Sequence, residues 1–392
     1  MKKIVFTEEF CSPENLFPFT LTRQIQDIRV GILTIREKWE IVLQLPSFDK
    51  QEGDYKDLER AIELRPDSEN ELVYLVHGNV IPTPEVGKEV RALAPGEYLK
   101  MAGEENFVYC LSQNEIIGQN KLKVTKAKES RAGVRKLEFP WQIFQLNSWA
   151  IELDLKLIIK DRTSIPLSDT NRTTSPSNVF LEEGAVVEHC FLNASEGPIY
   201  IGRNAVVMEG SMLRGPLAIG EGSTVKMGTR IYGGTSIGPY CTVGGELKNS
   251  VLFGYSNKAH DGYMGDSVIG EWCNLGAGTS NSNLKNNASQ VEVYTPAGLQ
   301  RVGLKCGVLM GDYSRTAINT SINTGTVIGA CCNVFGNGLT PKYIPSFSWG
   351  AEGIKRYDFT KALEHISNWK ALKAKDVTTY ERSILEHVFN HY

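Results

Sequence analysis

Residues 201–244, IGRNAVVMEGSMLRGPLAIGEGSTVKMGTRIYGGTSIGPYCTVG, carry an aliphatic residue at every sixth position. The aliphatic positions are Ile201, Val207, Leu213, Ile219, Val225, Ile231, Ile237 and Val243. Glycine directly follows the aliphatic residue at positions 202, 220, 238 and 244. A six-residue period with small residues at the corners is typical of a parallel β-helix, in which each face supplies one short strand and one turn. The stretch therefore predicts stacked coils of about 18 residues with aliphatic side chains inside.

The six-residue period is interrupted twice beyond residue 243. It resumes two residues out of phase at Ile269 and Leu275, and it is broken again across residues 281–301. It is restored at Ile322, Ile328 and Val334. We expect both interruptions to be loops that leave the wall of the coil. Because a repetitive wall offers little chemistry, a functional site is expected where such a loop departs.

The flanking sequence predicts four segments. Residues 1–160 form an α/β domain, residues 161–178 a polar, proline-bearing linker, residues 179–350 the β-helix and residues 351–392 a helical segment. Within the first segment, apolar runs at residues 2–6 and 71–82 predict strands, and helical spacing predicts helices over residues 16–39, 83–93 and 139–159. Residues 121–136 are basic and lack aromatic residues, which favours a solvated connector over a nucleic-acid surface.

Composition narrows the class of protein. The 392 residues carry a formal net charge of −3, so no basic field favours nucleic acid or acidic lipid as a partner. No run of about 18 apolar residues predicts a membrane span, and the N-terminal residues lack the apolar core of a signal peptide. The eight cysteines show no zinc-ligand spacing. We expect a cytoplasmic protein with reduced thiols, and the sequence offers no candidate metal ligands.

The first interruption holds side chains suited to chemistry. Histidine is the side chain best poised to accept a proton near pH 7, and His260 lies in a glycine-rich stretch. A lysine such as Lys248 offers a positive charge for phosphate, and asparagine offers donors and acceptors for sugar hydroxyls. The backbone N–H groups of LGAGTS, residues 275–280, suit an oxyanion or a thioester carbonyl. From these residues alone, a histidine that merely caps a turn remains an open alternative.

Residues 258–283, KAHDGYMGDSVIGEWCNLGAGTSNSN, resemble the active-site segment of the GlmU family. GlmU proteins join an N-acetylglucosamine-1-phosphate uridylyltransferase domain to a left-handed β-helix domain that acetylates glucosamine-1-phosphate. The family pattern of histidine, tyrosine, GD, N-x-G-A-G-T and a further asparagine is matched by His260, Tyr263, Gly265-Asp266, Asn274 to Thr279 and Asn283. The family lysine and arginine are matched by Lys248 and Arg230, and Leu284 replaces a second tyrosine of the bacterial enzymes. The resemblance covers roughly residues 199–340.

The resemblance implies a role for each matched residue. His260 would be the general base on the amine, and acetyl-CoA would supply the acetyl group. The sugar phosphate would be bound by Arg230, Lys248, Tyr263, Asn274 and Asn283. Acetyl-CoA would contact Ala277, Asp312 and Arg315. The family also implies a homotrimer with sites between subunits.

The N-terminal sequence resembles sugar nucleotidyltransferases, which implies a truncated, Rossmann-like domain. The similarity lies in LFPFTLTRQIQDIRVGILTI (residues 16–35), LVHGNVIP (75–82) and WQIFQLNSWAIELD (141–154). The family's glycine loop is replaced by FTEEFCSPEN, and Asn79 stands where an aspartate would bind Mg²⁺. Arg23 is a weak candidate for a nucleotide phosphate. Mg²⁺ and a nucleoside triphosphate would be needed only if this domain is active.

Three functions follow from these observations. The first is acetylation of an amino-sugar 1-phosphate, alone or coupled to uridylyl transfer, for UDP-N-acetylglucosamine or a related cell-envelope precursor. The second is nucleotidyl transfer alone, with the β-helix as an oligomerisation platform. The third is a non-catalytic scaffold that binds sugar nucleotides. The segment from His260 to Asn283 favours the first function, because a platform needs no histidine where the repeat is broken.

Overall fold

The structure, a computed structural model, describes residues 2–9, 11–47, 71–101, 106–117, 121–124 and 126–392. The chain divides into two compact units, each of which is discontinuous in sequence. The first unit contains Met1–Pro13, Arg23–Ile28 and Leu33–Glu138. The second unit contains Glu14–Thr22, Arg29–Ile32 and Phe139–Tyr392.

The first unit is built on a mixed five-stranded sheet. In spatial order its strands are Lys2–Thr7, Leu72–His77, Asn106–Leu111, Glu97–Lys100 and Lys126–Glu129. The first and last neighbouring pairs are parallel, and the two central pairs are antiparallel. Two short ladders pair Val80–Ile81 with Arg135–Lys136, and Ile116–Ile117 with Lys121–Leu122. The α/β class is confirmed. The basic residues 121–136 include an edge strand and two ladder strands, so they are more than a connector.

The first unit has two α-helices among its described residues. Helix α1 is Ile35–Leu43, and it begins at a capping box between Thr34 and Glu37. Helix α2 is Pro84–Arg91, capped by the Thr83 side chain, as the sequence predicts.

The long helix predicted over residues 16–39 is wrong except for its last turns. The chain there forms short 3₁₀ turns at Pro13–Leu16, Phe19–Leu21 and Ile25–Asp27. Pro18 has no N–H to donate, and Gly31 has a φ of +88°, so a continuous helix cannot pass either residue. Of the isoleucines whose spacing suggests the helix, Ile25, Ile28 and Ile35 are buried and Ile32 is half-buried, so the spacing reflects burial on an irregular backbone.

The second unit contains a parallel β-helix with three faces. Face 1 consists of Arg172–Thr174, Phe191–Asn193, Met212–Arg214, Arg230–Ile231, Glu246–Lys248 and Tyr263–Gly265, followed by the pair Ser280–Asn281 and Ser321–Ile322. Face 2 consists of Val179–Leu181, Ile199–Ile201, Leu217–Ile219, Thr235–Ile237, Val251–Leu252, Val268–Ile269, Leu309–Met310, Val327–Ile328 and Tyr343–Ile344. Face 3 consists of Val186–Val187, Val206–Val207, Thr224–Val225, Thr242–Val243, Asn257–Lys258, Asn274–Leu275, Arg315–Thr316 and Asn333–Val334. The fold is consistent with the predicted left-handed β-helix.

The interior of the β-helix is a stack of aliphatic side chains. On face 3, Val207 pairs with Val225 and Val225 pairs with Val243, each eighteen residues further along the chain. These side chains are at most 2% exposed, and the equivalent positions of the other faces join the same core. The predicted six-residue repeat is therefore confirmed. The eight cysteines are free thiols, and Cys241 and Cys273 are among those packed inside the coil.

The first interruption of the repeat is a shortened coil, and the prediction of a projecting loop is wrong there. Val243 pairs with Lys258, only fifteen residues later, and Leu247 pairs with Met264. The chain stays in the wall and all three faces continue. The second interruption does leave the wall, as an antiparallel hairpin of Val291–Thr295 and Gly298–Gly303. A period count cannot distinguish residues removed from a coil from residues added to a loop.

Helices complete the second unit. They are α3 (Gln142–Gln145), α4 (Asn147–Ile158), α5 (Phe359–Ala371) and α6 (Thr379–His391), close to the predicted segments. Asn147 holds α4 on face 2, because its side chain accepts from the Ser236 hydroxyl at 3.1 Å and donates to the Gly234 carbonyl at 2.8 Å. Lys370 of α5 pairs with Glu381 of α6 and lies 5.1 Å from the centre of the Trp272 ring. No helix in the described residues is long and apolar enough to span a membrane.

Candidate active site

His260 lies at a corner of the β-helix, between strand Asn257–Lys258 of face 3 and strand Tyr263–Gly265 of face 1. Its side chain is exposed. The backbone around it is tightly stacked, because a Cβ on Gly244 in the preceding coil would lie 2.4 Å from the Ala259 carbonyl oxygen. In the following coil, the Gly278 N–H donates to the Asp261 carbonyl at 3.0 Å. The corner is thus fixed on both sides while the imidazole faces solvent.

Arg230, Lys248 and Tyr263 all belong to face 1. Arg230 pairs with Glu246, which pairs with Tyr263, and Lys248 pairs with Gly265. Because neighbouring strands are about 4.8 Å apart, these side chains emerge from three successive coils within roughly 10 Å. The Arg230 Nε lies 3.8 Å from the Glu246 carboxylate, whereas Lys248 is exposed. This face therefore offers cations to a phosphate close to the His260 corner.

Tyr263 and Asn283 are joined through Asp266. The Asn283 side-chain amide donates to the Tyr263 hydroxyl at 3.1 Å and to Asp266 Oδ2 at 2.5 Å. The Asn249 amide donates to the other carboxylate oxygen of Asp266 at 2.7 Å. Burial, reinforced by the nearby charge of Asp266, raises the pKa of Tyr263, so the phenol keeps its proton and can donate it in a hydrogen bond. This cluster fixes two predicted sugar-binding side chains.

Asn274 and Ala277 border the same corner from face 3. Asn274 pairs in register with Asn257, and its strand leads into the turn that contains Ala277. That turn is stacked directly on the His260 turn through the Gly278 hydrogen bond described above. The structure therefore brings Ala277 next to the candidate base, where a thioester would have to lie.

Asp312 and Arg315 lie further from the base. Asp312 is at a corner between faces 2 and 3, where it accepts hydrogen bonds from the Thr22 hydroxyl at 2.6 Å and the Glu271 N–H at 2.8 Å. Arg315 pairs in register with Asn274, but its guanidinium lies 5.4 Å from the centre of the Trp369 ring in α5. Asp312 and Ala277 thus occupy different corners of the coil.

Arg23 and Asn79 belong to the first unit, where the donors do not fit Mg²⁺. Asn79 is 7% exposed and offers only a neutral amide. Glu8 accepts the Ile25 N–H at 2.6 Å, and burial raises the pKa of its carboxyl. Burial also raises the pKa of the neighbouring Cys11 thiol to about 11, so the free thiol is protonated near neutral pH. Within the described residues, no group of three or more His, Cys, Asp or Glu side chains converges on one point.

An apolar groove of about 550 Å³ runs along face 1. Its floor includes Phe191 and Met212, each 53% exposed, together with Tyr232. The groove continues to Arg230, so it shares a face with the candidate sugar-phosphate residues.

Sequence reasoning assigned no role to Asp266, Asn249 or Lys258. The GD pair marks Asp266 in the sequence, but only its two hydrogen bonds show that it organises Asn249 and Asn283. Lys258 reads in the sequence as an ordinary surface lysine, because the shortened coil hides that its position points inward. The pairing of Lys258 with Val243 in the structure shows that the position points inward.

Several known proteins are similar to parts of this chain. Residues 4–163 match a family model described as sugar nucleotidyl transferase. The bifunctional protein GlmU of Methanocaldococcus jannaschii is 34% identical over 101 residues, which cover 26% of this chain and 25% of the relative. The GlmU protein of Methanococcus maripaludis is 30% identical over 201 residues, or 49% of this chain and 40% of the relative. The chain is similar to GlmU proteins over part of its length.

A further relative of this GlmU-like chain comes from Sulfurisphaera tokodaii. It is named a bifunctional sugar-1-phosphate nucleotidylyltransferase/acetyltransferase and is 38% identical over 91 residues, or 23% of each chain. The GlmU-like chain thus spans between about a quarter and two fifths of the length of these relatives. A match to the solved structure of an Arabidopsis UDP-N-acetylglucosamine acyltransferase covers 56% of this chain and 88% of that chain at 14% identity, with a TM-score of 0.27. The resemblance to GlmU predicted from residues 258–283 is confirmed.

Proposed function

We propose that the protein transfers the acetyl group of acetyl-CoA to the amine of an amino-sugar 1-phosphate, with glucosamine-1-phosphate as the first substrate to test. The observation that carries this proposal is the convergence at one corner of the β-helix. There an exposed histidine, His260, borders the backbone of Ala277 on one side and the Tyr263–Asp266–Asn283 cluster on the other.

The residues divide the reaction between them. Arg230 and Lys248 bind the phosphate, the Tyr263 hydroxyl donates to it, and Asn274 and Asn283 bind the sugar hydroxyls. His260 accepts a proton from the amino group, whose nitrogen forms a bond to the acetyl carbon. The carbon–sulfur bond breaks and coenzyme A leaves as the thiol. Backbone N–H groups of the Ala277 turn stabilise the negative charge on the carbonyl oxygen during this step.

The proposal assigns no metal-dependent step to the first unit. A conventional nucleotidyl transfer would need phosphate-cradling glycines and a hard cation, and the donors around Asn79 do not fit Mg²⁺. The homology of residues 4–163 keeps nucleotide binding as a second activity to test, with Arg23 as the candidate phosphate ligand. Cytoplasmic acetyl-CoA supplies the donor, and the exposed apolar groove on face 1 supports a homotrimer whose second copy covers that face.

The deciding experiment measures acetylated sugar phosphate by mass spectrometry after incubation with acetyl-CoA and glucosamine-1-phosphate. The His260→Ala variant is compared with His189→Ala, which removes another exposed histidine from a distant coil of the same β-helix. We expect the rate to fall about 100-fold or more in His260→Ala, the loss that follows removal of a general base, and to stay unchanged in His189→Ala.

Two results would contradict the proposal. Full activity in His260→Ala would exclude His260 as the base. Activity in neither the native protein nor the variants, with a panel of amino-sugar phosphates, would refute acetyl transfer and favour the binding functions.

A further inference from the structure

Lys258 points into the β-helix at a position that is aliphatic in neighbouring coils. It lies in register with Val243 on one side, and its strand runs beside Asn274–Leu275 on the other. Lys258 is 1% exposed, and Val243 and Leu275 beside it are also buried. The coil is shortened at this point, so the ammonium group replaces a hydrocarbon side chain in the core.

The ammonium group of Lys258 is bonded only to backbone carbonyls in the described residues. Its Nζ donates to the Gly244 carbonyl at 3.2 Å and, over a short contact, to the His260 carbonyl. No carboxylate in the described part of the chain forms an ion pair with it, and Asp261 is the acidic group whose charge it senses. Burial lowers the pKa of Lys258 to about 8.

A buried cation without a carboxylate partner is costly for stability. Removing an ammonium group from water carries a large penalty, and hydrophobic residues of similar volume often replace buried charges at no loss of stability. Lys258 is therefore poorly explained as a residue that merely holds the core together. Its contacts point elsewhere, because both carbonyls that it binds belong to the corner that carries His260.

The two carbonyls come from successive coils that approach very closely. Gly244 has no room for a Cβ against Ala259, and a Cβ on Gly245 would lie 2.9 Å from the His260 carbonyl oxygen. The ammonium group binds the Gly244 and His260 carbonyls together from inside the coil, which fixes the peptide that carries the imidazole. A small shift of a catalytic group has large effects on rate, so this restraint matters for chemistry more than for folding.

We propose that Lys258 is a positioning residue for His260, an inference that rests on the acetyl transfer proposed above. It acts from the interior, through the backbone of the corner, and does not touch substrate. Removal of its charge should then release the corner, and so the imidazole, while the β-helix itself stays folded.

The test compares Lys258→Met with Leu252→Met, a control at an inward position of face 2 in the same coil. We expect the kcat of Lys258→Met to fall about 10-fold or more, because the base is misplaced, while the KM for acetyl-CoA changes less than about twofold. Hydrogen exchange at the amides of residues 259–262 should be faster by a similar factor, and the melting temperature should not fall. Leu252→Met should change none of these quantities. Lys258→Gln, which keeps a neutral donor, should retain an intermediate kcat.

The outcomes separate this inference from the proposed function. An unchanged kcat and unchanged exchange in Lys258→Met would overturn the inference while leaving acetyl transfer intact. A fall in melting temperature with slow exchange at the corner would assign Lys258 to the core alone and also overturn it. If the native protein has no acetyl transfer activity, the proposed function fails, and exchange at residues 259–262 still decides whether the ammonium group holds the corner. Should Lys258→Met not fold, Lys258→Gln supplies the same measurements.

Discussion

Asp266 ties together two side chains that the sequence places seventeen residues on either side of it. Its two carboxylate oxygens accept from Asn249 and Asn283, and it is 5% exposed with a φ of +47°. A carboxylate accepts at both oxygens without having to donate, which suits a residue placed between two amide donors. We therefore expect any effect of Asp266 on substrate to be exerted through Asn283 and Tyr263.

The Asp266→Asn substitution tests that role. An asparagine has one acceptor oxygen and one amide that donates, so it must release either Asn249 or Asn283. We expect the KM for the sugar phosphate to rise about 10-fold, the scale of one lost charge-assisted hydrogen bond, with a smaller change in kcat. Steady-state kinetics with Asp169→Asn, an exposed substitution outside the site, provides the control. An unchanged KM would mean that Asn283 needs no support from Asp266.

Lys258 gives the protein a measurable pH dependence of stability. Its pKa is about 8 in the folded protein and 10.5 in its ordinary environment, so between these values the unfolded chain binds more protons. Lys258 therefore makes the free energy of unfolding rise as pH increases from about 8 to about 10.5. Below pH 8 the lysine is charged in the folded protein, and the full penalty of burying its charge applies. The group that faces Lys258 most directly is Asp261, which favours the charged form and moderates the effect.

Replacing Lys258 by methionine should remove that penalty. We expect the free energy of unfolding of Lys258→Met to be about 1–3 kcal/mol higher than that of the native protein at pH 7. The difference should shrink toward pH 10. Urea denaturation at several pH values checks both the sign and the trend. A difference that stays constant across pH would show that the lysine keeps its proton in the folded protein throughout this range, so that burial does not lower its pKa.

The corner that carries His260 depends on glycine in the element beneath it. A Cβ on Gly244 would lie 2.4 Å from the Ala259 carbonyl oxygen and 2.9 Å from its carbon, and both are backbone atoms that cannot move alone. At Gly254, the nearest atom to a Cβ is a Glu271 side-chain oxygen at 3.5 Å, which is ordinary contact.

These two glycines form a matched pair for mutation. Gly244→Ala should lower the free energy of unfolding by about 1–3 kcal/mol and reduce acetyl transfer, because the backbone of the corner must shift. Gly254→Ala should change the free energy of unfolding by less than about 0.5 kcal/mol. Thermal denaturation of both variants, with activity measured on the same preparations, checks this expectation. Equal effects in the two variants would mean that the coil absorbs a Cβ anywhere.

The β-helix elements could be predicted from sequence because each inward position repeats at a fixed interval. The aliphatic positions from Ile201 to Val243 fall in turn on face 2, face 3 and face 1, so one six-residue period predicts the inward residues of all three faces. It fails from residue 244 onward, where coils lose residues and a hydrophilic side chain turns inward at Lys258. Local sequence patterns cannot show which side chains then point inward, because that orientation depends on the register between neighbouring coils.

The site could be predicted in part for a different reason. Motif resemblance located His260, Tyr263 and Asn283, and the structure brings the latter two into hydrogen-bond contact. Spacing along the chain carries no information about which corner a residue reaches, which is why it could not place Asp312. The helix predicted over residues 16–39 failed because its aliphatic spacing reflects burial on irregular backbone. Burial was predictable there, and backbone conformation was not.

The whole molecule combines residues 4–163, which match a sugar nucleotidyl transferase family model, with a β-helix that carries the candidate acetyl transfer site. Within the described residues, the apolar groove on face 1 is open to solvent. Phe191 and Met212 expose about half of their surface there, next to Arg230. Such a patch is typical of an interaction site, and the homotrimer proposed above would cover it with a second copy of the chain.

The trimer is tested by mass in solution. Sedimentation equilibrium of the native protein should give about three times the chain mass of 43.5 kDa. Met212→Asp should shift the population toward monomers, because a charge in the buried centre of an interface is costly. Ile354→Asp, which changes a side chain that is 83% exposed in the chain's last segment, should leave the mass unchanged. A monomeric native protein would show that face 1 is covered by something else.

The shortened coil has a consequence for how such a chain finds its fold. In a stack of equal coils, any coil can be laid against a neighbour one step too early or too late, and aliphatic side chains would still meet aliphatic side chains. The step from Val243 to Lys258 is fifteen residues, whereas the two steps before it on face 3 are eighteen, so this coil fits at only one level of the stack. A slip by one level would separate the amine of Lys258 from the Gly244 carbonyl of the preceding coil. The shortened coil that interrupts the repeat thus fixes the register of the stack, and the position of every other coil follows from it.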